Sequence, residues 1–117
     1  GSALGALGTS IAAILGNDQS VVDGLRAAGD RSGEALWQLP LASAQYRKLL
    51  DSDIADIKNV AGPYGGAITA AIFLSTFVGD TPWAHLDIAG TAWNQGSNKG
   101  GTGRPIPLLM EYLLHRK

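Results

Sequence analysis

His85 and Asp87 stand two residues apart in the run WAHLDIAGTAW, from Trp83 to Trp93. Alternate residues of a strand point to one face. There an imidazole and a carboxylate can share a metal ion or form an oriented general base. Two such groups do not close a metal site, and no third Asp, Glu or His follows at a recognisable spacing. The pair is therefore expected to be structural, tying the strand end to neighbouring backbone groups. Asp51, Asp53 and Asp56 gather three carboxylates ahead of Asn59, the chemistry of a hard-cation loop. They lack the glycine and the closing glutamate of a calcium loop, and Lys58 adds positive charge, so a solvated turn is expected. Gly96 to Gly103, GSNKGGTG, imitates a phosphate loop ahead of a helix. A nucleotide loop requires Gly-Lys-Ser/Thr in that order, whereas Lys99 precedes the glycines. A structured surface loop is the expectation, with Thr102 as N-cap and Pro105 in the first turn of the next helix. The sequence has no HExxH, no Gly-x-Ser-x-Gly elbow and no cysteine. The residues themselves thus outline no self-contained active site.

The elements that position these groups follow from periodicity. Trp83 to Ala89 reads as a short strand ending at the small residues Ala89, Gly90, Thr91 and Ala92. In open α/β sheets, ligands bind where strands emerge. The last helix is expected from about Arg104 to His115, with Ile106, Leu109, Met110 and Leu113 forming one apolar stripe. Ala67 to Val78, released by the turn Gly62-Pro63-Tyr64-Gly65-Gly66, has hardly any polar face and should be central. Ile68, Ala71, Ile72 and Phe77 carry that reading. Residues 3–15 read as a small-residue helix buried on several sides. Ser20 and Asp23 resemble a capping box for a helix through Ala28, closed by Gly29. Ser32-Gly33-Glu34 reads as a helical turn before Pro40, and residues 43–50 as another helix. Ile54 to Val60 reads as a short strand or extended loop.

The chain has 117 residues, enough for one domain or part of one. One or two strands cannot build a sheet of their own, because a parallel sheet needs several strands covered on both faces. The fold class is therefore α/β and helix-rich, the trailing portion of a larger domain and incomplete on its own. A net charge of −1 offers no electrostatic footprint for nucleic acid or an anionic membrane. Without cysteine there are no disulfides and no thiolate metal sites. The apolar start GSALGALGTSIAAILG has no basic n-region and is interrupted by Thr9 and Ser10, which favours a core helix over a signal peptide. No stretch reaches transmembrane length with suitable flanks.

Several words, in one order, closely resemble the C-terminal part of the M17 leucyl aminopeptidase family. They are ALGTSIAAILGND (Ala6 to Asp18), SGEALWQLPL (Ser32 to Leu41), SDIADIKNV (Ser52 to Val60), GGAITAAIFLSTFV (Gly65 to Val78), WAHLDIAGTAW and TGRP. The resemblance implies that residues 1–117 are the C-terminal part of a larger mixed-sheet catalytic domain. Members are cytosolic homo-hexameric exopeptidases that remove N-terminal residues from peptides with two divalent ions, zinc, manganese or magnesium. The family's metal-ligand words, among them one like NTDAEGR, have no counterpart here, nor has its N-terminal domain. The resemblance therefore implies no catalytic residue and no metal ligand in this chain. It implies a substrate-pocket wall at Gly1, Val60, Ala89 and Ala92, whose small apolar surface suits apolar side chains. The expected partners are the missing N-terminal portion of the same enzyme and peptide substrates. A non-catalytic packing or oligomerisation module derived from that fold is the alternative.

Overall fold

In a computed structural model, the chain is described over residues 2–46, 65–94, 96–97 and 99–116. The elements are α1 (Ser2–Leu7), β1 (Ala12–Gly16), α2 (Gln19–Ser32), β2 (Leu36–Gln38), α3 (Ser43–Tyr46), α4 (Gly66–Ser75), β3 (Ala84–Asp87), β4 (Trp93–Asn94), β5 (Gly100–Gly101) and α5 (Ile106–His115). A three-stranded mixed sheet in the order β2-β1-β3 forms the centre. β1 runs parallel to β2, with Ala13 opposite Trp37, and antiparallel to β3, with Ala13 opposite Asp87.

The central strand overturns the expected helix over residues 3–15. Gly8, at φ 75°, ends α1 in the left-handed region, and its N–H returns to the Leu4 carbonyl at 2.9 Å. From Ala12 the chain is extended, and Ala12, Ala13, Ile14 and Leu15 are all buried. A strand covered on both faces shows a continuous apolar run, so periodicity cannot separate it from a buried helix. Alternation then sorts its side chains. Ala12 and Ile14 join Val22, Leu25, Ala28, Leu36 and Leu108, the core shared with α2 and α5. Ala13 faces the other way, against Ala3 of α1 and Ala67 of α4.

α2 starts earlier and ends later than the expected Ser20–Ala28 segment. Asp18, not Ser20, is the N-cap: its carboxylate accepts from the N–H groups of Ser20 (2.9 Å) and Val21 (3.3 Å) and from the Ser20 hydroxyl. These hydrogen bonds, that from the Ser20 hydroxyl foremost, hold the Asp18 carboxyl below the usual carboxylate range. Gly33, at φ 77°, closes the helix. The segment Ser32-Gly33-Glu34, expected to open a helical turn, instead ends one, and the chain runs on into β2. Gly29 lies inside α2 because the backbone of Glu34 crosses it. A Cβ there would sit 2.5 Å from the Glu34 carbonyl oxygen and 3.2 Å from Leu108 Cδ1. Gly29→Ala is accordingly expected to cost about 1–3 kcal/mol, read from the denaturant midpoint. An unshifted midpoint would show that the crossing relaxes freely.

The expected apolar stripe on α5 is present but does not face the described core. Ile106, Leu109, Met110 and Leu113 are exposed, and Leu108 is the side chain with no exposure. α5 is apolar on two sides, and among the described residues it is the Leu108 side that is buried. Gly24 and Gly29 decide the docking: a Cβ on Gly24 would meet the Tyr112 ring at 2.9 Å. These bare patches on α2 admit Leu108 and Tyr112. α4 is central as expected at Ala67, Thr69, Ala71 and Ile72. It stops at Ser75, however, and Phe77 beyond it is 73% exposed, edge-on to Phe73 at 5.4 Å. The expected helix over 43–50 is present at Ser43–Tyr46. Its remainder and the Ile54–Val60 segment lie outside the described residues. No helix among the described residues is long and apolar enough to cross a membrane.

Candidate functional site: the turn after β3

β3 leaves the sheet at Asp87, and the chain reverses at once. The N–H groups of Thr91 and Ala92 both donate to the Ile88 carbonyl at 3.0 Å. Asp87 Oδ1 accepts the Ala89 N–H at 3.2 Å, so this carboxylate ties the strand end to backbone. Gly90 explains why the turn consists of small residues. Its Cα lies against the α1–β1 corner, and any Cβ would collide with the Gly8 carbonyl oxygen. Gly90 and Thr91 are buried, Ala92 is half-buried and Ala89 is exposed. The tertiary structure thus places two of the expected pocket-wall residues, Ala89 and Ala92, on one hydrogen-bonded turn. Gly1 and Val60 lie outside the described residues, as do the Asp51, Asp53 and Asp56 cluster and Lys58.

The glycine loop is a hairpin of β4 and β5, with Trp93 opposite Gly101. Thr102 fastens it to the turn. Its N–H donates to the Ala92 carbonyl at 2.9 Å and its hydroxyl to the Thr91 carbonyl at 2.6 Å. The same hydroxyl accepts the Arg104 N–H at 3.1 Å. Thr102 is therefore a loop fastener, not the expected N-cap of α5. Pro105 occupies the cap position, outside the first turn, and no cap side chain serves it.

Glu34 does that work from the loop after α2. It is 6% exposed, and its Oε2 accepts the Leu108 N–H at 2.8 Å. A carboxylate at a helix N-terminus satisfies an orphan N–H and opposes the positive end of the helix dipole. Arg104 faces the other oxygen, Nε to Oε1 3.7 Å, and donates through Nη2 to the Ser10 carbonyl at 3.1 Å. Glu34 and Arg104 thereby join the α1–β1 corner, the end of α2 and the start of α5. Sequence reasoning missed both residues. The available signal was a charge inside each of two otherwise small or apolar words, SGEALW and TGRP. Beside this junction lies a polar cleft of about 390 Å³, lined by Thr9, Ser10, Thr91, Trp93, Thr102 and Arg104 among others.

His85 and Asp87 do share a strand face, as their spacing requires. His85 is stacked on Trp83, with ring centroids 6.3 Å apart. Burial pushes its pKa below the ordinary imidazole value, and the Asp87 charge opposes that shift only in part. No group of three His, Asp or Glu that could hold a metal ion is found among the described residues. A two-metal centre needs more ligands than this pair. The lowered imidazole pKa has a consequence for stability. The unfolded chain takes up the proton first as pH falls through about 6.5, so the folded state loses stability there. The melting temperature is expected to fall between pH 7.5 and 5.5, and less steeply in His85→Gln. An equally steep fall in the variant would assign the effect to other groups.

Comparison with known proteins gives a consistent result. The family model described as "Cytosol aminopeptidase family, catalytic domain" matches residues 1–110. A protein of Acinetobacter baylyi named "Probable cytosol aminopeptidase" is 50% identical over 99% of this chain and 24% of its own length. A protein of Nitrosomonas eutropha with the same name is 49% identical over 99% of this chain and 23% of its own. A solved tomato leucine aminopeptidase, a point mutant, superposes with a TM-score of 0.91 at 35% identity. That match covers 97% of this chain and 22% of the tomato protein. The chain thus spans about a quarter of the length of the curated relatives it matches.

Proposed function

Because the chain belongs to the cytosol aminopeptidase family, we propose that it is the C-terminal part, residues 1–117, of a catalytic domain that removes N-terminal residues from peptides. The observation that carries the proposal is the catalytic-domain match over residues 1–110. The three-stranded sheet supports it, since neither edge strand pairs further among the described residues. In this reading the enzyme is a cytoplasmic homo-hexamer, and its other partner is the N-terminal portion of the same polypeptide. Its divalent ions, zinc, manganese or magnesium, are held by residues outside this chain. Such ions supply Lewis-acid polarisation and an activated water when bound.

This chain contributes surface and rigidity. Ala89 and Ala92, with Gly1 and Val60, form the wall against which the substrate side chain lies. Small walls leave room for an apolar group, whose full burial gains about 1.5–3 kcal/mol. The backbone bonds to the Ile88 carbonyl and the Thr102 fastener keep the turn from yielding when that group presses on it. Rigidity of this kind preserves the orientation on which rate depends.

Ala89→Leu in the full-length polypeptide tests the reading. The Ala89 side chain is exposed on this segment, so added bulk should leave the melting temperature nearly unchanged. It should instead fill the subsite and lower kcat/KM for a leucyl peptide by about 1–3 kcal/mol, roughly five- to 150-fold. Unchanged kcat/KM would remove Ala89 from the pocket. A parent polypeptide that hydrolyses no aminoacyl substrate would overturn the function itself.

A further inference from the structure

We propose that the outer face of α5 is where the upstream part of the aminopeptidase polypeptide packs, within the same chain. The proposal rests on the reading of these residues as one part of a longer enzyme, and it assigns the surface that joins the parts. Ile106, Leu109, Met110, Leu113 and Leu114 are 40 to 72% exposed. On a helix of 3.6 residues per turn these positions share one side, opposite Leu108 and Tyr112. The inner side is fixed in place. Leu108 is buried, its N–H is held by Glu34, and Glu111 pairs with Arg31 of α2 at 2.9 Å. The outer stripe is thus held outward by a docked helix, not exposed through fraying.

Two observations choose the occupant. First, a ten-residue helix offers a strip on the order of 15 Å by 10 Å. Stable association between separate molecules buries roughly 800 Å² per partner. The stripe alone is smaller than that, and a separate molecule would also lose translational and rotational freedom on docking. A segment of the same polypeptide is already tethered and does not face that cost. Second, about three quarters of each matched relative has no counterpart in this chain. Five contiguous apolar side chains without a charge among them suit core packing against such a segment.

Met110 is a natural probe, because thioether oxidation follows exposure. In the full-length polypeptide, peroxide oxidation of Met110 is expected to run at least 100-fold slower in the native state than in urea. The protection should persist on dilution to the monomer. Leu113→Cys, read as maleimide labelling against its own unfolded rate, repeats the measurement on a chain segment that lacks cysteine. Fast oxidation or labelling in the native state would overturn the proposal. Protection that vanishes as oligomers dissociate would assign the face to a second copy and overturn it equally. A leucyl-anilide assay on the same sample separates the two readings. Protected Met110 without activity sinks the proposed function alone, and activity with open Met110 sinks this assignment alone.

Discussion

Leucyl-anilide is expected to remain intact in the presence of the 117-residue chain alone and, on the proposed function, to be cleaved once the upstream part of the aminopeptidase polypeptide is supplied. The same pair of samples should differ in calorimetry with manganese or zinc. The chain alone is expected to give no stoichiometric binding of two ions, and the complemented sample to give both sites. The reason is ligand count. Two ions about 3.5–4 Å apart require several converging carboxylates. Here one oxygen of Asp87 already serves the Ala89 N–H and His85 stacks on Trp83. Glu34 is committed to the Leu108 N–H and faces Arg104. An activity that appears only on complementation changes from nothing to full turnover, the largest effect the division of labour implies. Activity of the chain alone, or tight binding of two ions by it, would end that division.

The largest expected stability effect belongs to Glu34→Ala. The substitution removes the only side chain that caps α5 among the described residues and leaves the Leu108 N–H buried without an acceptor. It also leaves the Arg104 guanidinium, mostly buried, facing no carboxylate among the described residues. Removing one partner of a buried charge pair typically costs about 3–5 kcal/mol, because the remaining charge stays desolvated. The loss should appear in the denaturant midpoint of the full-length polypeptide. Glu34→Gln keeps an oxygen for the Leu108 N–H and loses only the charge, so it should recover part of the deficit. If Arg104→Met in the Glu34→Ala background restores stability, the stranded guanidinium is the main cost. A Glu34→Ala midpoint within about 0.5 kcal/mol of the parent would show that the junction is not held by this pair.

The sequence carried the turn after β3 better than it carried the elements around it. The strand ending at Asp87, the small-residue turn after it and the helix ending at His115 are local features, set by residue size and strand propensity over a few positions. Asp87 and Gly90 mark that turn directly, one as a backbone tie and the other as the residue without a Cβ. The family words add specificity because several fall in one order, which no single motif supplies.

The errors have a common cause. Residues 12–15 are apolar on every side whether helix or strand, and only pairing with Leu36–Gln38 and Ala84–Asp87 decides for a strand. α5 has two apolar faces, and only the bare glycines of α2 decide that Leu108 goes inward. Thr102 looks like a cap by local rules, yet Glu34, 74 residues before the Leu108 N–H it accepts, does the capping. Local chemistry determined where the chain turns, which residues are small and which family it resembles. The tertiary structure alone decided which of two equally apolar faces is buried and which distant charge satisfies a helix end, because those choices are made between segments and leave no periodicity within either one.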